Sequence, residues 1–194
     1  MVFDGIILSI IVGFFRKGSL RPLANLKLKC GWVFPLLLIV QFVFFFFQNR
    51  YSWLGQASSY TFMAVYVIGL FFLFINRKNP GFTIIFIGVL LNFIVMAING
   101  GRMPVSAESA SVLDPGYIDA LKTGLYGKHE LLTSHTHLGF LGDIIALSKP
   151  YPRTQVISIG DVIMNIGIFL YIQHLMVGNK DNDIYLPLKG GEAQ

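Results

Sequence analysis

Cysteine occurs once, at Cys30, so no internal disulfide can form. Acidic residues are also scarce: 10 Asp and Glu stand against 15 Lys and Arg, and charged residues of both signs make up 13% of the chain. A soluble domain carries roughly 25%. A water-facing surface cannot be furnished from so few charges. There is no glycine-rich nucleotide loop, no serine triad, no haem-attachment box and no internal repeat. The net charge of +5 suggests nucleic acid at first sight, but the basic residues sit in short connections between apolar runs, which argues against a nucleic-acid partner.

In place of charge there is hydrophobicity: 54% of the residues are apolar and 18 are Phe, gathered in runs too long for a small soluble core. Lipid is the solvent that accommodates both properties. The expected fold is therefore an all-α integral membrane protein of about five transmembrane helices, with spans near 1–15, 31–47, 60–75, 82–98 and 156–177 in one membrane domain, 1–178. The first run reaches about 22 Å against a hydrocarbon core of about 30 Å. Asp4 stands where a signal peptide would carry a basic residue, so this run reads as a span rather than a cleaved leader. Arg16, Lys17, Arg21, Lys27 and Lys29 fill the first connection and Arg77 and Lys78 the third, with no acid in either. By the positive-inside rule these loops face the cytoplasm, the N-terminus faces outward, and the polar tail 179–194 faces inward.

The segment 99–155 between the fourth and fifth spans then lies outside. Asp114-Pro115 reads as an N-cap and first helical residue, and Tyr117, Ile118, Leu121 and Leu125 follow at helical spacing. This predicts a short amphipathic helix on the membrane surface, ended by Gly124 and Gly127. The apolar stretch 138–147 is too short to span and reads as re-entrant or interfacial.

Three acids in apolar surroundings, Asp4, Asp143 and Asp161, map to the outward level. Two carboxylates held close in a low-dielectric site cannot both ionise easily, so such a pair shares a proton. One then activates water while the other polarises a carbonyl, which needs no metal and no other cofactor. The plainer reading of Asp161, after Ser158 and Gly160, is an acid favoured by a helix N-terminus. Asn99-Gly100-Gly101-Arg102 reads as a helix stop, or as a turn presenting Arg102, oriented by Asn99, to the aspartates or a substrate. His135-Thr136-His137 lacks the further ligands a metal site needs. Cys30 reads as a small packing residue, and His174 as reaching for the interface from the last helix.

The stretch Gly142-Asp143-Ile144-Ile145, followed by Ser158-Ile159-Gly160-Asp161-Val162-Ile163, resembles the last third of the lipoprotein signal peptidases (signal peptidase II). Asp143 and Asp161 are 18 residues apart, close to the spacing of that family's two catalytic aspartates. Gly88-Val89-Leu90-Leu91-Asn92 resembles its Asn-bearing helix, which implies a substrate-binding role for Asn92. That family has four spans, has Phe-Asn before its second aspartate box, and keeps its Asn helix close to its first aspartate. Here Ile157-Ser158 precede Asp161, and Asn92 and Asp143 lie about fifty residues apart. Over most of its length, through the Asn99 to Val105, Leu141 to Ile144 and Ser158 to Val162 motifs, the chain resembles small bacterial multi-pass membrane proteins of unknown function. The resemblances imply a bacterial cytoplasmic membrane protein, with an Asp143/Asp161 aspartyl peptidase as the expected activity. Its partners would be the bilayer and a membrane-anchored peptide or lipoprotein, with Asn92, Asn99 and Arg102 contacting substrate. The alternative expectation is a non-enzymatic binding or assembly subunit that recognises a lipid or protein through the outer loop.

Overall fold

The computed structural model describes residues 2–24, 26–47, 52–113, 115–122 and 128–178, with side chains described at most but not all of these positions. The fold is mostly helical. Five longer helices are α1 (Val2–Phe15), α3 (Val33–Phe47), α4 (Ser52–Ile75), α5 (Phe82–Ile98) and α8 (Ile159–Val177), and three short ones are α2 (Arg21–Ala24), α6 (Ala107–Ala110) and α7 (Pro115–Lys122). Each longer helix coincides with one apolar run, and runs of this length exceed the usual length of a strand. Helix α4 starts eight residues before its expected boundary (60 − 52). Among the described residues one helix, Ile159–Val177, is both long and apolar enough to cross a membrane, and Asp4–Phe15, Val33–Phe44, Ser59–Ile75 and Phe82–Ile98 are apolar but shorter.

The helices pack in the order α3, α4, α5, α8, α1, with α8 between α5 and α1. Glycine sets the spacing around α8. A Cβ on Gly88 would lie 2.5 Å from the Gly160 carbonyl oxygen, and one on Gly167 would lie 2.8 Å from that of Gly81. The two pairs are seven residues apart on both helices, so α5 and α8 run antiparallel with their backbones in contact at two successive points. Small residues serve this way where helix association rests on close packing. Helix α1 runs parallel to α8, with Gly5 against Asn165 and Gly13 against Met176. A polar clamp adds to this seam. The Ser9 hydroxyl donates to the Phe169 carbonyl (3.0 Å), Gln173 donates to the Ser9 carbonyl, and Arg16 donates to Gln173 Oε1 (2.9 Å). On the other side of the row, Phe72, Leu73, Phe82 and Ile85 form a buried cluster at the α4–α5 turn.

The two ends of the bundle differ. The basic connections meet at one end, where the Asn76 side chain accepts from Lys29 N and donates to Lys29 O, both at 2.9 Å. The other end carries a small cap, which corrects the all-α expectation. Strand β1 (Met103–Val105) pairs in parallel with β2 (His129–Leu131), and β3 (Ile145–Leu147) pairs antiparallel with β4 (Gln155–Ile157). A bridge between Val105 and Asp143 joins the two ladders.

Two further expectations change here. The stretch 138–147 is not a re-entrant helix; it is a 3-10 turn at Gly139–Leu141 followed by β3. Helix α7 does form, opened by Pro115, and its Tyr117, Ile118 and Leu121 pack in one cluster with Val105 of the cap. Asp114, Gly124 and Gly127 lie outside the described residues. Cys30 is exposed, not packed.

Because Gly160 faces the Asn92 amide and the Gly88 carbonyl, Gly160→Ala should lower stability by about 1–3 kcal/mol, the usual cost of overpacking. Gly69→Ala, whose added methyl meets Leu37 Cδ1 at 3.9 Å, should be neutral or stabilising. Thermal unfolding of the two variants in detergent checks the contrast, and equal effects would refute the close approach.

Candidate functional site: a buried carboxylate centre

Asp161 belongs to the first turn of α8. Ser158 is the N-cap: its hydroxyl accepts from Asp161 N (3.0 Å), while the Asp161 carboxylate (Oδ2) accepts from Ser158 N (3.3 Å). This is a capping box that satisfies two backbone donors at the helix start. The second carboxylate oxygen, Oδ1, accepts from Asn92 Nδ2 of α5 (3.0 Å), and the Ser158 hydroxyl donates to Asn92 Oδ1 (2.8 Å). The three residues thus close a ring, in which the Asp161–Ser158 link runs through backbone N–H groups. Asn92 reaches across because Gly160, directly opposite, has no side chain.

Asp143 comes from the cap. Its backbone is fixed on β1, where its N–H donates to Pro104 O (2.8 Å) and its carbonyl accepts from Ser106 N (3.1 Å). Its side chain is buried, with Oδ2 lying 3.5 Å from His129 Nε2. Oδ1 is buried with no hydrogen-bond partner among the described residues. Native structures seldom leave such an acceptor bare without a reason. Tyr66 of α4 lies within electrostatic reach of both Asp143 and Asp161, and its hydroxyl lies beside the Asn92 amide. The two aspartates also lie within electrostatic reach of one another, and Lys128 lies within reach of Asp161. The fold therefore brings Asp143, Asp161 and Asn92 into one polar centre, together with Tyr66, Ser158 and His129.

The other sequence candidates lie apart from it. Asn99 is a clamp: its amide donates to Val95 O (2.7 Å) and His137 O (2.8 Å), and its Oδ1 accepts from His137 N (3.0 Å). Gly100 and Gly101, at φ 67° and 84°, turn the chain away from α5, which is the helix-stop reading of that motif. Arg102 has Glu130 as an electrostatic neighbour. Asp4 accepts from Gln155 Nε2 (3.2 Å) at the same end of the bundle. His135 and His137 are exposed.

Sequence reasoning did not single out Tyr66 or His129. A hydroxyl partway along an apolar run was the available signal for Tyr66. No signal marked His129, whose place depends on the pairing of β1 with β2.

A helical bundle whose end holds a buried carboxylate centre under a β cap is the class these features define. The chain belongs to DUF5317, a family of unknown function, whose model matches residues 25–173. That match takes in α5, the cap and most of α8, and so every residue of the centre. An uncharacterised protein from Thermotoga maritima is 36% identical over 102 residues, covering 53% of this chain and 55% of that one. The chain thus spans about half the length of that relative. No solved structure matches.

Asn92→Leu should cost about 1–3 kcal/mol, because it leaves Asp161 Oδ1 and the Ser158 hydroxyl buried without their partner. Ser158→Ala should cost about 1 kcal/mol through the lost cap. The two residues share one network, so the double variant should cost less than the sum of the singles. Additive losses in denaturation would refute the ring.

Glu130 supplies a test of the cap. Burial holds its carboxyl above the usual carboxylate range, against the opposing pull of Arg102. A raised folded pKa means that folding favours the protonated form. That contribution is full below the ordinary carboxylate pKa and is lost as pH rises through the folded value. The protein's thermal stability should fall across that window, and Glu130→Gln should remove the fall. An unchanged pH profile in the variant would refute the burial of a titrating Glu130.

Proposed function

We propose that this protein spans a bacterial cytoplasmic membrane with α1, α3, α4, α5 and α8, its β cap outside and its basic loops in the cytoplasm, and that Asp143 and Asp161 act together as an aspartyl peptidase on a membrane-anchored peptide. The membrane part rests on apolar exposure. Only 28% of the apolar window of α8 is buried, whereas the core helix of a soluble protein would be mostly covered. Val162, Ile166 and Leu170 are exposed along one side of α8, and Phe42, Phe46, Phe71 and Phe74 are exposed on the far helices. Soluble monomers rarely present contiguous apolar patches beyond a few hundred Å². Helices α1 and α5 contact α8 at points more than two turns apart, so a bilayer that holds α8 holds them as well. Their shorter apolar lengths call for local thinning or flanking residues at the interface.

The catalytic part rests on one observation: two acids from separate elements lie within electrostatic reach of one another in a buried centre, and one of them has a carboxylate oxygen without a hydrogen-bond partner among the described residues. In the proposed reaction the ionised carboxyl takes a proton from water while the protonated one donates to the peptide carbonyl oxygen. The hydroxyl adds to the carbonyl carbon. The C–N bond then breaks as the nitrogen takes a proton from the pair. The Tyr66 hydroxyl and the Asn92 amide are placed to steady the pair.

A second reading is favoured by the capping box and the Asn92 bond, which occupy both oxygens of Asp161. In it the centre holds the cap onto the bundle, and the protein is a non-enzymatic binding or assembly subunit.

Asp143→Asn and Asp161→Asn separate the two readings. The peptidase reading expects each to abolish cleavage of a lipid-anchored peptide in reconstituted membranes, with Asp143→Asn retaining wild-type unfolding. Turnover that survives in Asp143→Asn would overturn it, as would a wild-type protein that leaves such peptides intact while holding a partner through its cap.

A further inference from the structure

The end of the bundle opposite the carboxylates holds a cavity of about 350 Å³, lined by Lys27, Lys29, Ile75, Asn76, Arg77, Lys78 and Asn79. Cavities that accept small ligands run from about 300 to 1,000 Å³. Four of the seven lining residues are cationic, and neither contributing loop contains an acid to neutralise them. The cavity is also built, not left over from loose loops. Buried Asn76 ties the Lys29 backbone to the end of α4 through two bonds and donates to Phe72 O as well (2.9 Å). Asn79 donates back to the Asn76 carbonyl (2.9 Å). Arg77 is oriented too: its Nη1 donates to Phe74 O (2.9 Å) and its guanidinium stacks 4.0 Å over the Phe74 ring. That leaves most of its fork of donors unused.

We infer that this cavity binds the phosphate headgroup of an anionic phospholipid. Like-charged side chains held together by a fixed backbone favour an anion between them. Arg and Lys match phosphate oxygens by fork and by point charge respectively. Free phosphate or a soluble phosphate ester offers the same chemistry. Lipid is favoured by what borders the site. Phe74 and Phe71, both exposed, continue from Arg77 down the outer face of α4, and Leu26 and Trp32 are exposed on the other side. A headgroup in the cavity would lay its acyl chains along that apolar track. Basic pockets at the cytoplasmic ends of membrane helices take anionic headgroups in this manner. The inference rests on the membrane reading above and is independent of the Asp143/Asp161 chemistry.

The test uses the full chain in nanodiscs of phosphatidylcholine containing a small fraction of phosphatidylglycerol, with bound lipid read by native mass spectrometry. Wild type should retain phosphatidylglycerol in preference to phosphatidylcholine. Arg77→Gln and Lys78→Gln, both at exposed positions, should weaken retention about fivefold per charge removed, and Lys149→Gln in the opposite cap should leave it unchanged. Equal retention in wild type and the Arg77→Gln/Lys78→Gln double variant would overturn the site. Inorganic phosphate that competes the lipid off at millimolar concentration would overturn the lipid assignment in favour of a soluble anion. A chain that stays in the aqueous fraction and never enters nanodiscs would overturn the membrane reading itself, which distinguishes that failure from the failure of the site.

Discussion

The contact between the backbones of α5 and α8 governs much of the rest of this molecule. Gly88 against Gly160 and Gly81 against Gly167 bring the two helices together with no side chain between them. At ordinary helix separation, roughly 8–10 Å between axes, a side chain would intervene at each crossing. Its absence at Gly160 is what lets the Asn92 amide reach the Ser158 hydroxyl and the Asp161 carboxylate. The polar centre is thus a product of helix packing, not of a loop that happens to fold over it. A methyl group at the crossing would disturb the bundle and the centre together.

The two carboxylates of that centre are held differently. Asp161 is fixed by the helix it caps and by a neighbouring helix. Asp143 is fixed through its backbone, on a strand of the cap, and its side chain meets a histidine at one oxygen while the other stays unpartnered. The position of Asp143 and His129 therefore depends on the cap, whereas that of Asp161 and Asn92 depends on the packing of α5 and α8.

The positions of the five longer helices were legible from apolar run length, because such runs exceed the usual length of a strand. The gathering of the basic loops at one end and of Asp4, Asp143 and Asp161 at the other followed from charge distribution along the chain. The cap was not legible. Strands of three residues, such as Met103–Val105 and His129–Leu131, are too short to show alternation, and the parallel pairing of those two joins segments separated by α6 and α7. The stretch 138–147 looked membrane-bound because apolar composition alone does not distinguish a strand from a buried turn. The partners of Asn99 and Arg102, the His137 backbone and Glu130, were not legible either, because they come from the cap.

The order of helices in space also bears on how the protein is made. Helix α1 leaves the ribosome well before α8, yet its seam is with α8: Ser9 and Phe169, bonded to one another, are 160 residues apart. At roughly 5–20 residues per second, synthesis separates the two helices by on the order of ten to thirty seconds. Throughout that interval the Ser9 hydroxyl and the Arg16 guanidinium must find partners other than those α8 supplies. Helices α3, α4 and α5 can meanwhile pack as nearest neighbours in chain order. Biogenesis would then finish by trapping α8 between two waiting surfaces, and a ribosome stalled before residue 159 would leave α1 without its neighbour.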